Sequence, residues 1–445
     1  MQSLDELPLT RAHIKIMVVT GLGFFTDAYD LFIIGVANSI IAQLWKFSIA
    51  EQSILVSTAF ISSVIGAVVL GKLSDLLGRR RFYGIELILM IAGALLSALS
   101  PNLSLLIIAR FILGFGIGGD YSSSPTIMGE FANRKDRGKL IGMVFTMQAA
   151  GLIAGPLIAL PVLQQLSADT AWRLLLGIGA VPAAIVFYSR RRLGETPRYL
   201  AEVANKPVKL PDELKNAVIE INEAEMRTQP MYRRIFSDPE MRNRLLLSSL
   251  AWFLLDFAFY GITLAISQVL VDIYGSLTTV QKMSLSAEVF ALFALPGYLL
   301  STFTVDRLGR KPIQLLGFAA MAFFYLLLGL LMGTIHSSFL LLLLGLAYFF
   351  TQFGPNSTTF VYPLELFPTN LRATGQGVAA ASGKLGAFAG AFTVPLVFDY
   401  YGFFWVSVIA SVLLVLGFLI TLPLPETKAI SLTWQKPVKE PAQVE

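Results

Sequence analysis

The chain has 445 residues, 55% of them hydrophobic and only 14% charged, with a formal net charge of +5 and no cysteine. A soluble domain runs at about 45–50% apolar and about 25% charged, so this composition excludes an ordinary soluble enzyme and indicates a polytopic membrane protein. Without cysteine there is no disulfide framework and no thiolate metal site, and the basic residues fall in short loops, which excludes a nucleic-acid-binding face.

The amino terminus lacks a short apolar core followed by a small-residue cleavage site, so no cleaved signal peptide is expected and the first span directs insertion. Apolar stretches of about 18 residues or more begin near Ile14, Ser53, Phe82, Ser104, Gly138, Trp172, Leu245, Met283, Ile313, Phe339, Thr374 and Phe403, which predicts an all-α protein of roughly twelve transmembrane helices. A polar stretch separates the sixth span from the seventh. The expected organisation is a six-helix half over 1–190, a linker over 191–243, a second six-helix half over 244–425, and a tail over 426–445. Lys72 with Arg79, Arg80 and Arg81, then Arg134, Lys135 and Arg137, then Arg307, Arg310 and Lys311, then Arg372 follow the even-numbered spans. By the positive-inside tendency these loops, the linker and both termini are cytoplasmic.

The halves repeat each other. The stretch Gly71-Lys-Leu-Ser-Asp75-Leu-Leu-Gly78-Arg79-Arg80 returns 231 residues later around Asp306-Arg307-Leu308-Gly309-Arg310-Lys311. Glu130 with Arg137 returns as Glu365 with Arg372, and Glu195-Thr196 as Glu426-Thr427. Paired halves of this size are how many secondary transporters are built, with the substrate site at the midplane between them.

Inside the apolar stretches lie Asp27, Asp30, Asp120, Asp256 and Lys384. Each charge at a helix centre costs about 2.5–3.5 kcal/mol on insertion scales, so each needs a partner, a cavity or a function. Asp27 and Asp30 are three apart and share a helix face, which must point into the bundle. Burial and a neighbouring carboxylate both disfavour ionisation, so one of the pair is suited to carry a proton; the alternative is a structural carboxylate bonded to a neighbouring helix. Trp252, Asp256 and Tyr260 are spaced four and four and form one stripe along the seventh helix. Gln148, Asn356 and Tyr121 add polar groups that serve either as helix–helix glue or as ligands.

The loop from Gly71 to Arg81 and its echo at Asp306 resemble the signature of the major facilitator superfamily, over essentially the whole chain. Within it, the stretches Gly23 to Asp30, Gly116 to Tyr121, Glu130 to Arg134, Trp252 to Tyr260, Gly354-Pro355-Asn356 and Ser382 to Ala387 are similar to the phosphate:proton symporter family. That resemblance implies a proton-coupled symporter importing inorganic phosphate. It assigns Asp27 and Asp120 to the proton route, with Asp30 and Glu86 as further stations. It carries Tyr121, Gln148 and Asn356, with Trp252, Asp256, Tyr260 and Lys384, to the phosphate site. The stripe's own chemistry agrees: dihydrogen phosphate donates to a carboxylate and accepts from Trp and Tyr, while Lys384 supplies compensating charge. A buried Asp256 to Lys384 ion pair holding the halves together is the structural alternative. Asp75, Arg79, Glu130 and Arg137, with Asp306, Arg310, Glu365 and Arg372, sit at cytoplasmic helix ends and are expected to form a latch that favours the outward-open state.

The chain departs from the family where Tyr121 is followed by Ser122-Ser123-Ser124-Pro125, the proline falling three positions late, so a kink in the fourth helix is expected elsewhere. Gly114-x-Gly116-x-x-Gly119 matches a dinucleotide pattern but lies in an apolar helix with no preceding strand, and reads as close helix packing. The sequons at Asn102 and Asn356 carry no weight, the second being inside the membrane. His13 and His336 lie near span ends, so no histidine relay, metal site or cofactor is expected. The alternatives on the same scaffold are a symporter of an organic anion or sugar, and a nutrient receptor, for which the linker and tail are short. The partners expected are phosphate, protons and the lipid bilayer, and the chain is expected to work as a monomer in a prokaryotic cytoplasmic membrane.

Overall fold

The computed structural model describes residues 2–191, 193–204, 207, 217–218, 237–430 and 432. Twelve helices in it are long and apolar enough to cross a membrane: α1 (Arg11–Trp45), α2 (Ala50–Leu77), α3 (Arg79–Leu99), α4 (Leu103–Phe131), α5 (Arg137–Gln165), α6 (Ala168–Arg190), α7 (Pro239–Leu264), α8 (Val280–Leu308), α9 (Arg310–Leu331), α10 (Ser337–Leu366), α11 (Thr369–Tyr401) and α12 (Phe403–Thr421). They form two six-helix halves. Most of the expected linker, and the tail beyond Leu432, lie outside the described residues. One two-residue parallel pairing, Gln2–Ser3 with Ala217–Val218, is the exception to the all-helical architecture among the described residues.

Local chemistry sets the helix ends. Ser48 caps α2 with Glu51 reaching back to the Ser48 amide at 2.8 Å, a reciprocal capping box. His13 is spent structurally, bonding the Thr10 amide at 3.1 Å at the start of α1 and the Phe131 carbonyl at 3.1 Å. Gly78 and Gly309, the repeated glycines of the loop motif, have φ of 100° and 101°, a left-handed turn that reverses α2 into α3 and α8 into α9. Two spans are not regular throughout. Residues Phe290–Ala294 of α8 form a π-turn, and α10 breaks at Gly354 immediately before Pro355.

Leu99, Ile185, Leu292 and Leu419 are exposed on the outside of the bundle, where lipid tails solvate them. Inside, the halves meet chiefly where α2 packs on α11 and α5 on α8, equivalent pairs under the repeat. The glycine pattern in α4 is a packing seam. A Cβ at Gly114 or Gly118 would collide with the α2 backbone, and one at Gly116 or Gly119 with α3 or Leu70. α4 runs unbroken from Leu103 to Phe131 with Pro125 inside it, so the displaced proline ends no helix.

Gly118→Val is expected to push α4 off α2, because its Cβ would lie 2.6 Å from the Ala67 nitrogen. Overpacking of this kind costs about 1–3 kcal/mol. Thermal melting in detergent should show a lower Tm for Gly118→Val than for Gly35→Val, where an added Cβ meets nothing within 4 Å.

Candidate functional site

Five helices deliver polar side chains to one enclosed region between the halves. Tyr121 (α4), Gln148 (α5), Trp252, Asp256 and Tyr260 (α7), Asn356 (α10) and Lys384 (α11) are each at most 7% exposed. Spacing of four along α7 gives one face to Trp252, Asp256 and Tyr260, and Gly383 on α11 leaves room for the indole, since a Cβ there would lie 2.5 Å from it. Lys384 Nζ donates to the Tyr260 hydroxyl at 3.1 Å and sits 3.8 Å from the centre of the Tyr121 ring, a cation–π contact. Phe24 and Phe360 pack edge-on to Tyr121 at 4.9 and 6.2 Å.

Among the described residues the Asp256 to Lys384 ion pair does not form: the ammonium is held by the two phenols, and Asp256 Oδ2 is buried with no hydrogen-bond partner. Nor would that pair have joined the halves, since α7 and α11 belong to the same one. What does cross between halves is a chain of amides and phenols. Gln148 Nε2 donates to the Tyr121 hydroxyl at 3.1 Å, Tyr298 donates to Gln148 Oε1 at 2.6 Å, and Asn356 Nδ2 donates to the Tyr298 hydroxyl at 2.8 Å and to Gln352 Oε1.

Carboxylates of the first half form a second cluster. Asp120 and Tyr121 are successive residues of α4 and so face different ways, Tyr121 to Lys384 and Asp120 to Arg190 at the end of α6. Arg190 Nη1 lies 2.7 Å from Asp120 Oδ1 and 3.2 Å from Glu86 Oε1, and its guanidinium stacks 4.2 Å from the Tyr83 ring centre. The unusual serine run serves this cluster: Ser124 donates to Asp120 at 2.6 Å and accepts from Arg190, and Ser123 donates to Glu86. Gly23 on α1 admits Asp120 and Arg190 into the space a Cβ would fill, one turn from Asp27. Asp27 is fully buried, and neither carboxylate oxygen has a hydrogen-bond partner among the described residues. Asp30 is committed differently, in a bidentate pair with Arg110 at 2.8 and 2.6 Å.

At the end of the bundle carrying the repeated loops, the eight residues expected to form a latch make two equivalent networks. Asp75 accepts from the Thr374 amide at 2.6 Å at the start of α11, and Asp306 from the Gly138 and Lys139 amides at 3.0 and 2.7 Å at the start of α5. A carboxylate at a helix amino terminus meets unpaired N–H groups and the positive end of the dipole. Arg79 grips Glu130 at 2.8 Å and Arg310 grips Glu365 at 2.7 Å. Across the halves, Arg372 reaches Glu130 at 3.3 Å and Arg137 reaches Glu365 at 3.7 Å. The repeated Glu-Thr pair acquires a purpose: Glu195 and Glu426 accept from the first amides of α3 and α9, while Thr196 and Thr427 bond Glu130 and Glu365.

Sequence reasoning missed Arg110, Arg190, Tyr298 and Gln352. Arg110 was detectable as a charge with apolar residues on both sides, and Gln352 by the same signal that singled out Gln148. Arg190 reads as an ordinary span-end anchor, and Tyr298 carries no charge to mark it; only their inward direction reveals them.

Twelve helices in two repeated halves, with polar side chains from both meeting in a buried centre, define a membrane transporter of the alternating-access kind. Residues 16–438 match the sugar (and other) transporter family, and the chain belongs to it, within the major facilitator superfamily. It is 37% identical to low affinity inorganic phosphate transporter 4 of Medicago truncatula, over 88% of this chain and 85% of that protein. It is 35% identical to inorganic phosphate transporter 1-11 of Oryza sativa subsp. japonica, over 97% and 89%. Among solved structures, the proton:xylose symporter XylE bound to 6-bromo-6-deoxy-D-glucose superposes with a TM-score of 0.80 at 19% identity, covering 94% of this chain and 97% of that one.

The Asp30 to Arg110 pair is fully enclosed, so removing one partner leaves a bare buried charge at a cost of about 3–5 kcal/mol. Arg110→Leu should therefore lower the Tm in detergent sharply, and adding Asp30→Leu should recover part of the loss. Melting curves of the two single variants and the double variant check this.

Proposed function

We propose that the chain imports inorganic phosphate together with protons by alternating access. The observation that carries this reading is one buried cluster of side chains holding both the Lys384 ammonium and an Asp256 oxygen with no partner among the described residues. A fully ionised anion would be repelled by that carboxylate, and a neutral solute would leave the ammonium uncompensated. Dihydrogen phosphate satisfies both, giving one O–H to Asp256 and its charged oxygens to Lys384, Tyr121, Tyr260, the Trp252 ring N–H and Gln148, while Asn356, whose amide protons go to Tyr298 and Gln352, offers its carbonyl to the second O–H. The names of the plant relatives support the same substrate.

Asp27 and Asp120 serve as proton sites on the first half, with Asp30 and Glu86 as stations, and Asp27 is the best candidate to exchange a proton because no cation among the described residues pairs with it. The halves 1–190 and 244–425 rock about the pocket, linked by 191–243 and followed by a tail over 426–445. Asp75, Arg79, Glu130, Arg137 and their counterparts latch the cytoplasmic end while the site loads from outside. Coupling needs only that the loaded, protonated state cross more readily than a partly loaded one. The chain acts as a monomer in the cytoplasmic membrane with both termini inside, and performs no covalent chemistry.

A sugar or organic anion is the competing substrate, favoured by the family's description and by the proton:xylose symporter of the same fold. Competition by arsenate but not by hexoses, short carboxylates or sulfate supports phosphate. In proteoliposomes, labelled phosphate should accumulate under an inward proton gradient and stop when a protonophore collapses it; uptake indifferent to the gradient, or none, sinks the proposal. Lys384→Ala removes a charge-assisted contact worth about 1.5–3 kcal/mol, so phosphate binding should weaken about tenfold to hundredfold. Asp27→Asn should keep binding and exchange while losing gradient-driven accumulation.

A further inference from the structure

We infer that Tyr298 is a positioning residue that sets the pocket's preference for an oxyanion, by fixing which end of the Gln148 amide faces the substrate. This inference rests on the phosphate reading above. Tyr298 lies on α8, is fully buried, and packs edge-on against Phe145 of α5 at 5.8 Å. Its oxygen accepts from Asn356 Nδ2 at 2.8 Å, and its proton goes to Gln148 Oε1 at 2.6 Å. A hydroxyl has one proton to give. With that proton committed, the Gln148 carbonyl is held toward α8 and its NH₂ group is turned to the Tyr121 hydroxyl, on the side where Lys384 sits over the Tyr121 ring.

The amide's direction matters for the charged oxygens of an anion. A sugar hydroxyl both donates and accepts, and so can bond either end of an amide, whereas the charged, unprotonated oxygens of dihydrogen phosphate accept only, and so bond only the N–H end. A Gln148 side chain free to turn over would present its carbonyl oxygen to phosphate part of the time. Tyr298 removes that freedom without itself needing to touch the substrate.

The backbone is shaped for the purpose. Four residues before Tyr298, α8 leaves the α-helical register in the Phe290–Ala294 π-turn, a device that adds a residue to a turn and re-aims the remainder of the helix. Next to it, Gly297 lets α8 press on α10, where a Cβ would lie 3.2 Å from Gln352 Cβ. The hydroxyl thereby reaches between Gln148 of one half and Asn356 of the other.

The experiment is phosphate uptake by proteoliposomes carrying wild type, Y298F, Q148A and the double variant. Y298F should raise the half-saturating phosphate concentration about tenfold, the order of one fixed hydrogen bond to an anion, with the maximal rate within about twofold. In the Q148A background it should add nothing, because its effect runs through Gln148. Should Y298F not fold, as judged by its melting curve, Y298L removes the same proton and is measured in its place. An unchanged half-saturation, the same factor in both backgrounds, or a fall in maximal rate alone overturns the inference. Wild-type vesicles that take up no phosphate overturn the phosphate reading and this inference together; wild-type uptake matched by the variant overturns this inference alone.

Discussion

A charge in the interior of a membrane bundle cannot fall back on water, and the arrangement of this protein depends on how each such charge is accommodated. Arg110 is matched one-to-one with Asp30 in a bidentate pair. Arg190 is shared by Asp120 and Glu86, so its positive charge is divided between two carboxylates. Among the described residues Lys384 has no carboxylate within salt-bridge reach and rests on two phenols, which stabilise a cation without neutralising it. Asp27 and one oxygen of Asp256 have no hydrogen-bond partner there at all. The series runs from fully paired charges to charges with no partner among the described residues.

The two buried clusters meet at α4. Asp120 and Tyr121 are consecutive, so one helix presents the carboxylate cluster on one side and the aromatic floor of the pocket on the other. The two clusters are therefore joined through the backbone of one helix. Close approach of the helices makes this linkage stiff. The α4 glycines set α2 and α3 against its backbone, and Gly386 and Gly390 do the same for α11 against α7. Small residues are how membrane helices gain packing energy where no hydrophobic driving force is available.

The two-fold repeat reaches its fullest expression in the networks at the loop end, where Glu195 and Glu426, Glu130 and Glu365, and Asp75 and Asp306 make matching bonds in each half. Its symmetry is what lets opposite halves interlock: each half contributes the acid that caps a helix of the other. The pocket, by contrast, is asymmetric. Lys384, Asp256, Trp252 and Tyr260 all come from the second half, and the carboxylates with Arg190 all come from the first.

Twelve spans, the division into halves and the buried charged residues that the fold gathers together were legible in the amino-acid sequence, because apolar length, charge in an apolar run, and a repeat with fixed offset are local or one-dimensional signals. The late proline of α4 and its serines could be seen but not interpreted, since a serine's worth depends on which acid stands beside it. Pairing was decided by tertiary structure alone. Nothing in the order of residues says that Asp30 belongs to Arg110, that Lys384 turns to Tyr260 and Tyr121 and away from Asp256, or that Tyr298 stands between Gln148 and Asn356. Those partners are tens to hundreds of residues apart, and which of them meet is settled by how the helices rotate and how closely glycine lets them approach.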